Sequence, residues 1–398
     1  MANVLDGIKV VEVASFVACP AAGMAMGDFG AEVLKIEPLT GDPFRAGNNL
    51  PPAPTSPIPY TNMFTNRNKK SVALNLKDPE AQKVLYKLVE QADVFLTNSM
   101  PHVCKSLGIT FEQIIKINPK IVYALITGYG DTGPEADTPG FDGSAWFART
   151  GLADIIRAKG ADPIPLPVGI GDQNTATSVF AAVMTGLYHR ERTGKGCKVQ
   201  TSLMANGVWT AGLEAQAQLV GAKFFDAGHA DSPNPLVGTY YKTKDNRYVL
   251  LMQVNPRNWD ALCDTLGAAA GKTNTQFNTP AGRVKNHQEL IAALDRIIGL
   301  LDLADVAARL RDSKTNFSVV QNISELVKDP QAAAQGFFPL IEGTKTRTVA
   351  SPIAIEGITK LTRPAPEKVG QDTKAVLKAA GYSDDQIAKL ATAKAIGV

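Results

Sequence analysis

The run I-K-V-V-E-V-A (Ile8–Ala14), followed by P-A-A-G-M-A-M (Pro20–Met26) and A-E-V-L-K-I-E (Ala31–Glu37), decides the fold. Short β-branched runs bounded by loop residues are the pattern of buried parallel strands. Proline suits the first turn of a helix, and Phe29-Gly30 ends that helix before the second strand. Strand, helix of about ten residues and strand make a βαβ unit, which closes right-handed and builds a parallel sheet. The unit recurs, with strands at Ser71–Asn75, Asp93–Thr97 and Lys120–Thr127 and helices at Pro79–Gln91 and Phe111–Asn118. Such alternation predicts an α/β domain with a doubly wound parallel sheet, whose ligands bind outside the carboxyl ends of the strands. Ser15–Ala18, Asn98-Ser99 and Gly128–Gly130 fall there.

A chain of 398 residues exceeds what one core usually serves, so two domains are expected. Residues 1–224 read as the large domain, 225–330 as a smaller α+β domain, and 331–398 as a segment returning to the large one. Past Gln173 come a turn at Thr193–Gly196, a strand at Cys197–Ser202 and one long helix over Leu203–Val220. Phe225–Pro235 has linker composition. Thr239–Tyr241 and Tyr248–Val254 form a hairpin pattern. Helical periodicity follows at Trp259–Leu266, Gln288–Leu301 and Leu303–Leu310, strands at Pro339–Ile355, and helices at Thr373–Ala380 and Asp384–Ala393.

The net charge of +3 comes without a basic run longer than Lys69-Lys70, which argues against a nucleic-acid partner. Cys19, Cys104, Cys197 and Cys263 are scattered, with none of the short spacings a zinc site needs. They read as reduced and buried thiols, and no metal is expected. The N-terminus carries Asp6 where a signal peptide would be apolar, and no apolar run approaches a membrane span. A cytoplasmic enzyme with a small anionic ligand fits these bounds.

The chemistry concentrates between Val168 and Leu187, V-G-I-G-D-Q-N-T-A-T-S-V-F-A-A-V-M-T-G-L. A glycine-spaced turn, Gly169 and Gly171, delivers Asp172 to the mouth of a helix with no further charge before His189. The plain alternative is a helix N-cap. Gly128–Gly133 matches G-x-G-x-x-G, but Pro134 and Pro139 make it a loop and not the start of a helix. Gly267–Thr273 is one residue short of a phosphate-binding loop and follows a helical pattern. Pro38–Thr65 is a long loop, and Asn66–Lys70 after it is either a solvated turn or a phosphate contact. His102, His189, His229 and His287 sit in no catalytic motif, and G-x-S-x-G is missing. Carboxylates remain. A carboxylate nucleophile is weak, so it needs an activated acyl donor such as a thioester, N–H donors for the oxyanion and exclusion of water.

The segments L-D-G-I-K-V-V-E-V-A, A-E-V-L-K-I-E, N-K-K-S-V-A-L-N-L-K, I-T-G-Y-G-D-T-G-P, P-G-F-D, G-I-G-D, G-L-Y-H-R-E-R-T-G-K-G and N-P-L-V-G-T-Y stand in order along nearly the whole chain. Together they resemble family III CoA-transferases. That resemblance implies an interlocked, ring-like homodimer, with acyl-CoA and a small carboxylic acid as partners, CoA being co-substrate. It puts the nucleophile on Asp172, with Gly171, Asp142 and Phe141 as substrate or supporting residues. It puts CoA contacts on Phe16, Val17, Ala18, Leu74, Lys77 and Asn98. The chain departs from the family pattern at Pro38, where several members carry arginine, and at Lys105-Ser-Leu-Gly108. Arg45, Arg67 and Lys105 are candidate substitutes for the phosphate contacts. The segment Ser232–Tyr240 replaces a glycine-run loop.

Pro139–Gly151 looks most like enzymes moving CoA between an enoyl-CoA and a 2-hydroxy acid, with Phe141, Trp146 and Phe147 as either an acyl pocket or core. Carnitine- or dicarboxylate-type transfer is the alternative. Racemisation of 2-methylacyl-CoA is another, although Gly140-Phe141-Asp142 lacks the histidine that the racemases carry. A catalytically silent acyl-CoA-binding protein would keep the same fold.

Overall fold

The computed structural model describes residues 3–49, 51–158, 160–224, 232–252 and 255–398. It divides into two compact units, one of Met1–Ile156, Pro163–Gly221 and Ala333–Val398, the other of Arg157–Asp162 and Ala222–Ala332.

The larger unit is built on strands β1 (Lys9–Val13), β2 (Glu32–Glu37), β3 (Lys69–Leu74), β4 (Val94–Thr97), β5 (Val122–Thr127) and β6 (Cys197–Ser202). They lie parallel in the order β3-β2-β1-β4-β5-β6, and the short C-terminal strand Ile396–Gly397 closes the β3 edge antiparallel. Helices α1 (Ala18–Asp28), α2 (Tyr60–Asn66), α3 (Pro79–Val89), α4 (Pro101–Leu107), α5 (Phe111–Ile117), α6 (Leu152–Ile155), α7 (Ile170–Thr193), α8 (Leu203–Thr210) and α9 (Gly212–Leu219) complete the unit with the helices Thr373–Ala379 and Asp384–Thr392. Alternate residues of each strand serve opposite faces. Val10, Val33, Val94 and Leu96 pack under α1 and α7, while Val11, Ile36, Val72 and Phe95 pack under α3, α5 and the C-terminal helices. The strand order reverses between β1 and β4, and ligands of doubly wound sheets bind at such a reversal.

Several expectations change. The pattern over Leu203–Val220 is two helices, because the chain breaks at Ala211. Pro339–Ile355 carries no strand, only a bridge between Leu340 and Arg347. Its alternating residues meet no sheet edge. The expected loop Pro38–Thr65 carries a 3-10 helix at Pro43–Asn49 and all but the last residue of α2. Asn66–Lys70 is largely buried, with Lys70 alone exposed, and its other two cations are taken up by internal partners. Arg67 is fully buried on Asp28, at 2.7 and 2.9 Å, and Lys69 is buried on Glu12, at 2.8 and 2.9 Å.

This last pair belongs to a charged chain beneath the sheet reversal. Glu12 of β1 stands in register with Lys35 of β2, which reaches Asp42 at 2.8 Å and the Ala14 carbonyl at 3.1 Å. Burial works against the charge on Lys35, but Glu12 and Asp42 outweigh it and hold its pKa above the ordinary value. Beside it, Glu37 is buried, yet its Arg45 partner, Lys35 and Ser71 together pull its pKa down to about 2.

In the smaller unit, strands Val237–Lys242, Tyr248–Met252 and Phe317–Val319 form an antiparallel sheet. The helices Trp259–Thr265, His287–Ile298 and Leu303–Asp312 supply its core with Leu262, Leu290, Leu294, Val306 and Leu310. The linker pattern lies outside the described residues over 225–231, as do residues 253 and 254 of the hairpin pattern.

Glu12→Gln removes the one anion between two buried lysines, so unfolding in urea should show a loss of about 3–5 kcal/mol. Glu32→Gln, which breaks an exposed pair with Lys70, should cost less than about 1 kcal/mol.

Candidate active site

The start of α7 is built by two glycines and one carboxylate. Gly169 takes φ 93°, a left-handed conformation that turns the chain into the helix, so it is the cap, and Asp172 stands inside the first turn. The N-cap alternative for Asp172 is thereby replaced. The Gly169 N–H donates to Asp142 Oδ2 at 2.8 Å. Asp142 opens a π-helix, Asp142–Ala148, and its Oδ1 accepts the Gly143 N–H at 2.8 Å. Gly171 lies against that π-helix so closely that a Cβ would sit 2.7 Å from the Trp146 ring and 2.9 Å from Asp142 Cβ.

Asp172 is half-buried next to this contact. Burial first, and the negative charge of Asp142 second, raise its pKa from 3.8 to about 7. The helix start counters part of this, since the first N–H groups of α7 have no helical partner and favour an anion.

At the sheet reversal a cavity of about 520 Å³ opens, lined among others by Ser15, Glu37, Leu74, Lys77, Asn98 and Leu107. Leu74, Lys77 and Asn98 of the expected CoA set are thus together. Asn98 spans the reversal: its Oδ1 accepts the Ser15 N–H at 3.1 Å and its Nδ2 donates to the Ser15 carbonyl at 2.9 Å. Val17 and Ala18 are buried, and Phe16 is 38% exposed with φ 65°. The Phe16 ring meets Phe141 edge to face at 5.5 Å, which ties the β1–α1 loop to the segment holding Asp142.

Lys105 is exposed on α4. Arg45 and Arg67 do not serve as spare cations, because their guanidinium groups are committed to Glu37 and Asp28. Trp146 and Phe147 are core residues, whereas Phe141 is 57% exposed. Cys19, Cys104 and Cys263 are buried and Cys197 half-buried, all as free thiols. Among the described residues no three metal-ligating side chains come together, and no helix is long and apolar enough to cross a membrane.

Sequence reading missed Asp42, which takes the Phe16 N–H at 3.2 Å, because an Asp in G-D-P looks like any turn residue. It also missed the chain of buried charges. A sign of that chain was present in Glu12 and Lys35, charged residues in the interior of strands whose neighbouring positions are apolar.

The larger unit thus holds a crevice at the reversal of its parallel sheet and a carboxylate raised toward neutrality at a helix start. The sequence profile of CoA-transferase family III matches residues 5–373, and the chain belongs to that family and is a CoA-transferase. It is 32% identical to the (R)-2-hydroxy-4-methylpentanoate CoA-transferase of Clostridioides difficile, over 98% of this chain and 99% of that enzyme. It is 31% identical to the cinnamoyl-CoA:phenyllactate CoA-transferase of Clostridium sporogenes, over 100% of this chain and 98% of that one. The crystal structure of a CAIB/BAIF family protein from Brucella suis superposes with a TM-score of 0.85 at 26% identity, covering 96% of this chain and all of that one.

A carboxyl whose pKa is raised on folding contributes stability that is full below about 3.8 and lost as pH rises through about 7. Asp172→Asn removes the buried charge. Its unfolding free energy in urea should therefore match the wild type near pH 4 and exceed it at pH 8, by on the order of 1 kcal/mol after allowance for partial exposure.

Proposed function

We propose that the protein transfers CoA from an acyl-CoA, an enoyl-CoA by preference, to a 2-hydroxy carboxylic acid, with Asp172 as the covalent nucleophile. The observation that carries this is Asp172 itself: a half-buried carboxylate with a pKa of about 7 at the open N-terminus of α7. The names of the two clostridial relatives support the acid and donor classes.

The cycle has four displacements. An Asp172 oxygen attacks the donor's thioester carbonyl and CoA leaves as thiolate, giving a mixed anhydride. The thiolate attacks the aspartyl carbonyl, and the donor acid departs as carboxylate, leaving an aspartyl-CoA thioester. The acceptor carboxylate attacks that thioester and again frees the thiolate. The thiolate then takes the acceptor's acyl carbon, and Asp172 returns as carboxylate. The N–H groups at the start of α7 receive each oxyanion in turn.

CoA lies along the sheet reversal against the backbone of Phe16, Val17 and Ala18, with Leu74 and Asn98 beside it. Lys77 and Lys105 are its cationic contacts, being exposed and without an internal commitment like that of Arg45. The working form is an interlocked homodimer in the cytoplasm, and the reaction belongs with amino-acid fermentation. Trp209, Leu213 and Leu219 on α8 and α9, more than three-quarters exposed, favour a second copy covering them.

Incubation with acyl-CoA and hydroxylamine should yield an aspartyl hydroxamate at Asp172 by mass spectrometry. Asp172→Ala, checked for folding, should lower CoA exchange by about 10³-fold or more; undiminished exchange ends the proposal. Because the carboxylate is the reactive form, kcat/KM for acyl-CoA should rise with pH and level off above about 7. Asp142→Asn keeps an acceptor for Gly169 and removes the like charge, so this acid limb should move to lower pH.

A further inference from the structure

Three aromatic rings stand together at the edge of the site. Phe16 meets Phe141 at 5.5 Å with planes at 84°, and Phe44 lies 6.3 Å from Phe16. Phe16 and Phe141 are 38% and 57% exposed, while Trp146 and Phe147, a turn further along, are buried. The first pair therefore contributes its faces to a surface and little to the core.

Phe16 holds this place against its backbone preference. Its φ of 65° is uncommon for a bulky residue. Asp42 enforces it: Oδ1 accepts both the Phe16 N–H at 3.2 Å and the Phe44 N–H at 2.9 Å, and Oδ2 is anchored by buried Lys35 at 2.8 Å. One carboxylate thus sets two of the three rings. Residues held in sparsely populated backbone regions concentrate where a ligand is clamped.

We infer that the Phe16–Phe141 pair is the specificity-determining surface for the acceptor acid, receiving an apolar, branched or aromatic side chain, with Asp42 as its positioning residue. The inference rests on Asp172 being the nucleophile. Phe141 directly precedes Asp142, whose carboxylate bonds the Gly169 N–H and whose charge acts on Asp172, so an acid attached at Asp172 extends its side chain toward these rings. A second carboxylate on the acid would be repelled by Asp142, whose charge already acts on Asp172. Monocarboxylic acids with apolar side chains are favoured on both counts.

The test uses the full chain, one acyl-CoA donor and a panel of 2-hydroxy-4-methylpentanoate, glycolate and glutarate. Phe16→Asn removes the ring while tolerating the left-handed backbone, and Phe141→Ala removes an exposed ring. In each variant the ratio of kcat/KM for 2-hydroxy-4-methylpentanoate over glycolate should fall about tenfold or more, the usual scale for an apolar contact in discrimination. Wild type should use glutarate least. An equal loss with all acceptors, an unchanged ratio in both variants, or a wild-type preference for glutarate overturns the inference while leaving the transferase reading intact. A wild type that passes CoA to none of the acids fails that reading and this inference with it.

Discussion

The hydrogen bond from the Gly169 N–H to Asp142 joins segments separated by a long loop, and the geometry around Asp172 depends on it. It seats the first turn of α7 on the π-helix, a rare element that recurs at functional sites. The seat is tight because Gly171 presents no side chain to Trp146. With the helix start fixed, Asp172 has little freedom and stands beside a second carboxylate. Its elevated proton affinity follows from that placement, as does its access to free N–H groups at the helix end.

A second constraint lies in the charges buried beneath the sheet reversal. Glu12, Lys35, Lys69 and Asp42 form a line of buried charges, each satisfied by the next or by a backbone carbonyl. Isolated, any one of them would be costly in the interior. Linked, they join β1, β2 and β3 just below the loop that carries Phe16. Such networks contribute less to net stability than to a unique geometry when every member is satisfied. Here that geometry is the conformation of the β1–α1 loop, which meets the segment holding Asp142 through the Phe16–Phe141 ring contact.

Both constraints suit covalent acyl chemistry at a carboxylate. Burial and the charge of Asp142 raise the pKa of Asp172 toward neutrality, which limits the cost of keeping an anion in a poorly hydrated place. The donors that would stabilise an oxyanion are backbone groups, which need no reorganisation during reaction.

The sequence by itself determined the parallel α/β unit, since β-branched runs alternating with helical periods leave few other ways to bury both. It also drew attention to Asp172, one charge ahead of a long uncharged helix, although position alone left a helix cap open and the family resemblance gave it its expected role. The tertiary structure decided what local pattern could not carry. Arg45 and Arg67 look like free cations in the chain and are spent on Glu37 and Asp28, partners that come near only when strands and loops assemble. The break at Ala211 and the absence of strands over Pro339–Ile355 likewise depend on which neighbours exist to pack or pair with. Periodicity reports what a segment can bury, whereas the pairing of buried charges and the strain at Phe16 arise from contacts between segments distant in the chain, and only the folded arrangement creates those.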